Sequence, residues 1–301
     1  MASLREIRRK IKSVKSTEQI TKAMKMVAAA RMRKSQQAIL AARPFANEMD
    51  ELVGGLAALE AGQDQAERHA LRAPHEFFVS RETGPACLVL ITADKGLCGA
   101  FNSNLIKAAI EWLKARQGEK VYVAVVGRKG RDFLHRLRGF DLEIVTELAG
   151  IFPKVSFTHA ELLGKAILDV YEKRRLSSVA VIYNEFKSVA VQRLVKTPLL
   201  PVPPLSLGEK EKARLLEYKF EPDRRHLLHA LLPRALKAKL YRILLESQAA
   251  ELAARMNAMD AASKNAKELR QNLNLGLNRQ RQAIITREIA ELVGGAEALA
   301  S

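Results

Sequence analysis

The sequence predicts an α/β protein in which long N- and C-terminal helices form an antiparallel coiled coil and the chain between them forms a Rossmann-like wound α/β domain. Three observations predict it. No Gly or Pro occurs from Ser3 to Arg43, no Pro follows Pro233, and strand-like and helix-like segments alternate in the middle. The expected division is 1–60 for the first long helix, 61–222 for the central α/β domain and 223–301 for the second long helix. A composition of 48% hydrophobic and 28% charged residues supports a buried core and excludes general disorder. No apolar run approaches the roughly 18 residues that would span a bilayer.

In the first helix, Leu4, Ile7, Ile11 and Val14 have the 3-4-3 spacing of a coiled-coil seam. The next apolar step, six residues to Ile20 and on to Met24 and Val27, shifts the phase, so the seam reads as a non-uniform heptad. The 41 residues from Ser3 to Arg43 would extend about 60 Å as a helix. Pro44 is expected to kink or end it, with Leu52 to Leu59 as a continuation. At the other end Arg234 to Val293 reads as one helix of about 90 Å. Its stripe of Leu236, Leu240, Ile243, Ser247, Ala254, Ala258, Ala262, Ala266, Leu269 and Leu273 is rich in small residues that let helix axes approach. Two such helices in 301 residues predict a projecting antiparallel pair.

Between them, Ala86 to Thr92 reads as a buried strand, Ser103 to Arg116 as a helix, Val121 to Val126 as a strand, Arg128 to Leu137 as a helix and Leu142 to Thr146 as a strand. Phe157 to Arg174 follows as a helix and Val179 to Tyr183 as a strand, with Val189 to Val195 turning back antiparallel. Pro198, Pro201, Pro203 and Pro204 then predict a loop. Ala61 to Arg72 reads as a polar connection.

The formal net charge of +17 lies at the ends: 12 basic against 2 acidic residues before Pro44, 25 against 23 from there to Pro222, and 13 against 8 from Asp223 on. Such an excess suits nucleic acid, an anionic membrane or other protein subunits. No aromatic residue is interleaved with the basic residues before Arg43 as a stacking platform would require. No G-x-G-x-x-G follows the first strand, and Gly164-Lys165-Ala166 lacks a phosphate loop. Asp94-Lys95-Gly96-Leu97-Cys98-Gly99 reads as a tight turn before a phosphate cradle, and Gly127 with Gly130 resembles the glycine loop of a KH module only weakly. His226 and His229 lack further ligands nearby for a metal. Cys87 and Cys98 offer neither a disulfide framework nor a zinc set and read as reduced packing residues. The alternatives kept open by composition are a basic coiled-coil nucleic-acid-binding protein and a nucleotide-binding α/β protein.

Three blocks narrow the choice: LREIRRKIKSVKSTEQITKAMKMVAAARMRK from Leu4 to Lys34, ITADKGLCGAFN from Ile91 to Asn102, and ARMNAMDAASKNA with NRQRQAIITREIAELV between Ala254 and Val293. In order and spacing they resemble the gamma subunit of the rotary, F-type ATP synthase, and the resemblance runs end to end. It implies a central rotor shaft that couples ion-driven rotation of the membrane c ring to ATP synthesis or hydrolysis at the beta subunits. The α/β domain would be the foot on the membrane-side rotor. Such a chain is not itself an enzyme and carries no catalytic residue, cofactor or metal. The implied partners are the alpha and beta subunits of the catalytic head, the epsilon subunit and the c-subunit ring, with no nucleic acid and membrane association only through the complex.

Residue by residue, the resemblance assigns Met24, Lys25 and Met26 on the first helix, and Arg281, Gln282 and Thr286 on the last, to contacts with a beta-subunit loop. Ile285, Ile289 and Leu292 would form an apolar tip running in a sleeve of alpha and beta subunits. Coiled-coil packing competes for the two methionines. Adjacent Arg281 and Gln282 cannot both belong to a seam, which favours the contact role. Where the family often carries Ser, this chain has Ala250 and Gly294. With no apolar signal core, acids at Glu6 and Glu18 and no transit pattern before Ser3, the expected setting is the cytoplasmic face of a bacterial inner membrane.

Overall fold

The computed structural model describes residues 3–61, 76–79, 81–152, 154–203 and 224–300. The polar connection expected from Ala61 to Arg72 lies, after Ala61, outside the described residues, as does Pro204. The chain divides into two units, Met1–Ala29 with Arg255–Ser301, and Ala30–Ala254.

In the larger unit, runs of β-branched and apolar residues produce β1 (Ala86–Ile91) and β2 (Val121–Val126), whose side chains are buried on both faces. With β3 (Leu142–Leu148), β4 (Ser178–Phe186) and β5 (Gln192–Leu200) they form one sheet in the order β3-β2-β1-β4-β5. The first four strands are parallel and β5 pairs antiparallel with β4. Helices α2 (Phe101–Lys114), α3 (Arg128–Leu134) and α4 (Phe157–Lys173) make the crossovers. Cys87, Val89 and Ile91 share a core with Tyr122, Ala124 and Val126, with Leu163, Ile167 and Tyr171 of α4, and with Leu56, Leu236, Leu240 and Ile243 from the long helices. The period-two alternation turns Leu88 and Leu90 to the opposite face, where α2 packs on β1 and β4.

Two breaks that the sequence allows at proline do not occur. Strand β5 continues through Pro198 to Leu200 instead of breaking into a loop. It is the edge strand, the place in a sheet where proline is tolerated. Helix α1 runs from Leu4 to Ala61 with Pro44 inside it, so the proline does not end the helix, and α5 runs from Arg224 to Ala300 with Pro233 inside it. Pro44 and Leu40, four residues before it, are both exposed, so the carbonyl freed by the proline faces water. Likewise His229, four residues before Pro233, is exposed.

The seam of α1 also differs from expectation. Along α1, burial recurs at Leu4, Ile7, Ile11, Val14, Glu18, Thr21, Lys25, Ala28, Met32, Ser35 and Ile39, an unbroken 3-4 alternation. Ile20 is 57% exposed and lies off the seam. The phase never shifts, because Glu18, Thr21 and Lys25 occupy seam positions that a count of apolar residues passes over. In the smaller unit, Lys25 Nζ meets Asp260 Oδ1 at 2.6 Å and Arg270 Nε meets Glu18 Oε2 at 2.9 Å, which makes the pairing of α1 with α5 antiparallel. Leu269 is half exposed, and Arg270 takes the position expected for it.

Candidate functional site in the paired terminal helices

Helix α1 holds Met24 and Lys25 half-buried at the seam and leaves Met26 60% exposed. Ile20 and Val27 lie two turns apart on one face, with Met24 between them, so an apolar stripe opens to solvent beside the seam. Lys25 is turned to the partner helix: Asp260 accepts from its ammonium and also faces Lys264 Nζ at 2.9 Å. These two cations hold the Asp260 carboxyl below the usual carboxylate range, the hydrogen bond from Lys25 first. Thr21 is buried, its hydroxyl donating to Thr17 O at 2.9 Å within its own helix.

On α5, Arg281, Gln282 and Thr286 are all exposed, and so are Ile285, Ile289 and Leu292, the last at 74%. The register set by the Lys25–Asp260 and Glu18–Arg270 pairs brings Leu4, where α1 begins, opposite about residue 284. Beyond it α5 has no residue of α1 to cover Ile285, Ile289, Leu292 and Val293, which repeat at i, i+4, i+7 and i+8 and form one stripe. The same register places Met24 opposite about residue 262. The two predicted contact sets are therefore not brought together: they sit about 30 Å apart along the helix axis. The ion pairs Glu18–Arg270 and Lys25–Asp260 were missed by sequence reasoning. Opposite charges at seam positions of two antiparallel helices, with nearly constant index sum, were the signal.

At the C-terminal end of the parallel strands, where a wound sheet presents a nucleotide site, Asp94 bonds the neighbouring turns. Its Oδ1 accepts from the backbone N–H of Arg128 at 3.1 Å and of Gly150 at 2.7 Å, and its Oδ2 from that of Phe152 at 3.1 Å. These amides, which a phosphate would need, are taken by a side chain. Gly127 and Gly130 are steric: a Cβ on Gly127 would stand 2.2 Å from Thr92 O, and Gly130 donates to Thr92 Oγ1 at 2.8 Å. Gly164 lies where α4 meets α5, with Lys237 Cγ at 3.0 Å from a would-be Cβ. Cys87 and Cys98 are buried and not joined in a disulfide, and burial pushes the Cys87 thiol up to about 12. Among the described residues no cluster of His, Cys, Asp and Glu could hold a metal ion. A cavity of about 190 Å³ between the long helices and β5 is lined mainly by apolar residues such as Val53, Phe77, Leu199 and Leu232. It is smaller than the few hundred Å³ of a usual cofactor site.

These features define a class: a wound α/β domain and a pair of long antiparallel helices in one chain, with exposed apolar stripes on the helices and the amides beside the sheet's C-terminal edge bonded to Asp94. The model of the ATP synthase family matches residues 3–299. The ATP synthase gamma chains of Elusimicrobium minutum and Desulforamulus reducens are 44% and 43% identical over 99% of this chain and 99% and 100% of theirs. Among solved structures, a chain of the central stalk and c-ring of Tetrahymena thermophila mitochondrial ATP synthase is 25% identical with a TM-score of 0.58, over 81% of this chain and 99% of that one. A chain of the Euglena gracilis mitochondrial ATP synthase shares the fold at 21% identity and a TM-score of 0.66, over 98% and 94%. The chain belongs to the ATP synthase gamma-chain family.

Proposed function

We propose that this chain is the central rotor shaft of a bacterial ATP synthase, peripheral to the cytoplasmic face of the inner membrane and coupling ion flow to ATP synthesis or hydrolysis. It is a non-catalytic subunit, and its work is mechanical: it turns with the c ring and presents an asymmetric surface to each beta subunit in turn. A membrane potential supplies about 2.3 kcal/mol per charge per 100 mV, so a stiff element must carry the energy of several ions to a distant site. The observation that carries the reading is the uncovered end of α5, an apolar stripe beside exposed Arg281, Gln282 and Thr286. Ile285, Ile289 and Leu292 would turn in a sleeve of alpha and beta subunits, while Arg281, Gln282 and Thr286 engage a beta-subunit loop. Met24, Lys25 and Met26 would meet a beta-subunit loop at the lower level, Lys25 sharing its ammonium with Asp260. The α/β domain would stand on the c ring with the epsilon subunit. No described helix is long and apolar enough to cross a membrane, in keeping with attachment through the complex.

The double substitution Arg281→Ala/Gln282→Ala tests the reading. Alanine has the higher helix propensity, so the helix and assembly are preserved. A guanidinium hydrogen bond worth about 1.5–3 kcal/mol is lost, so ATP hydrolysis coupled to ion pumping should fall by roughly tenfold or more. Membrane preparations, with a native gel for assembly, supply the measurement. Parental turnover in assembled complexes would remove both residues from the contact.

A further inference from the structure

Within Ala30–Ala254, one guanidinium stands between two carboxylates. Arg242 of α5 donates through Nη1 to Asn47 Oδ1 at 3.1 Å and to Asp50 Oδ2 at 3.3 Å, both on α1. Asp50 also faces Lys239 Nζ at 3.7 Å. One turn along α5, Glu246 is only 3% exposed. Its Oε1 lies 3.8 Å from Arg242 Nε, too far for a hydrogen bond, and neither Glu246 Oε2 nor Arg242 Nε has a hydrogen-bond partner. Arg43 of α1, Tyr183 and Glu185 of β4 and Lys187 just after it also face Glu246. None of these groups belongs to the contact surfaces described above.

We propose that Arg242 is a two-position cross-link between the long helices, set by a proton on Glu246. With Glu246 neutral, the guanidinium ties α5 to Asn47 and Asp50 of α1. With Glu246 ionised, it turns to the carboxylate on its own helix and releases α1. The i,i+4 spacing keeps Glu246 within reach of the side chain that bonds Asp50 across the helices, and an ionised, buried carboxylate without a hydrogen-bond donor is the state that must recruit a cation. The proton exchanges with water, and only the Glu246 O–H bond is made or broken.

Burial raises the Glu246 pKa above the ordinary glutamate value, with the Arg242 charge opposing it. The sign follows from linkage. The folded chain holds this proton more tightly than the unfolded chain does, so the contribution is present below the ordinary glutamate range and is lost as pH rises through the raised value. The tie between α1 and α5 is firm in acid and loosens as pH rises. This holds whether or not the chain turns as a rotor.

The test is nuclear magnetic resonance on the full chain, with carboxyl carbons of Asp and Glu and the Nε–H of Arg labelled, titrated from about pH 5 to 8. Glu246 should titrate above the ordinary carboxylate range, and the Arg242 and Asp50 signals should move with the same midpoint. In Glu246→Gln the Arg242 signal should stay flat. Asp50→Asn frees the guanidinium for Glu246 and should weaken proton binding there about tenfold, a fall of about one pH unit; this variant carries the test if Glu246→Gln does not fold. An ordinary Glu246 midpoint, an Arg242 signal that ignores it, the same Arg242 movement in Glu246→Gln, or an Asp50→Asn midpoint that does not fall would overturn the proposal.

Discussion

Asp94 fastens three segments with one side chain, since its two oxygens accept from the first residue of α3 and from two amides after β3. Each is a charge-assisted bond from backbone to carboxylate, and in Asp94→Ala the three donors lose their acceptor together. The expected cost is about 2–3 kcal/mol of unfolding free energy, checked by urea denaturation of the full chain. Asp94→Asn keeps one acceptor oxygen and should fall between the two. An Asp94→Ala midpoint equal to the parental one would mean that water replaces the carboxylate at no cost. The neighbouring Gly127 has φ of 91° and no room for a Cβ, so the turn that offers Arg128 N to Asp94 is available to glycine alone. In the sequence Gly127 and Gly130 resemble the glycine loop of a KH module only weakly, and nothing local says what else they serve. Only the approach of Thr92 to Gly127 and Gly130 shows that the glycines serve packing.

At the level of elements, the sheet was legible because its strands are short and bounded by turn residues, and β1, β2 and β4 are largely buried. Val121–Val126 matches its expected limits, and the antiparallel return expected over Val189 to Val195 is found in β5, although β4 runs on past Tyr183 to Phe186 before the chain turns. The helices were legible in kind but not in phase. Periodicity was sought in apolar residues, and the seam of α1 passes through Glu18, Thr21 and Lys25. Among the site residues, the polarity of adjacent Arg281 and Gln282 announced an exposed position, whereas nothing local to Met24 or Lys25 distinguishes a seam from a surface; that depends on where Asp260 falls in the partner helix. The pair Glu18–Arg270 tests what these charges contribute. Their side chains are 22% and 29% exposed, so Coulomb attraction is partly screened and partly offset by desolvation. Glu18→Leu/Arg270→Leu should leave stability within about 1 kcal/mol of the parental chain or raise it. Arg270→Leu alone leaves a half-buried carboxylate without its cation and should be the least stable of the three. Thermal unfolding of the full-length variants ranks them, and an Arg270→Leu variant as stable as the double would show that leaving the Glu18 carboxylate without its cation costs nothing.

For the molecule as a whole, the two units differ in what completes them. The larger unit encloses its own core of strands, α4 and segments of both long helices, with Leu88, Leu90, Leu163 and Ile167 fully buried. The smaller unit ends in a stretch of α5 whose apolar residues are exposed, with none of the described residues covering them. A helix end without tertiary packing depends on propensity alone, and propensity alone is marginal in water. Amide hydrogen exchange should therefore separate the units: β1, β2 and β4 should exchange only on global opening, while residues 285–293 should exchange quickly in the free chain. In the assembled complex the same stretch should slow by at least about tenfold, because burying the stripe of Ile285, Ile289 and Leu292 supplies about 25 cal/mol per Å² of apolar surface removed from water. The segment around Thr21 and Lys25, already paired with α5, should change less between the two states. If 285–293 were as slow in the free chain as in the complex, its stability would come from the chain itself, and the proposed sleeve would have no work to do there.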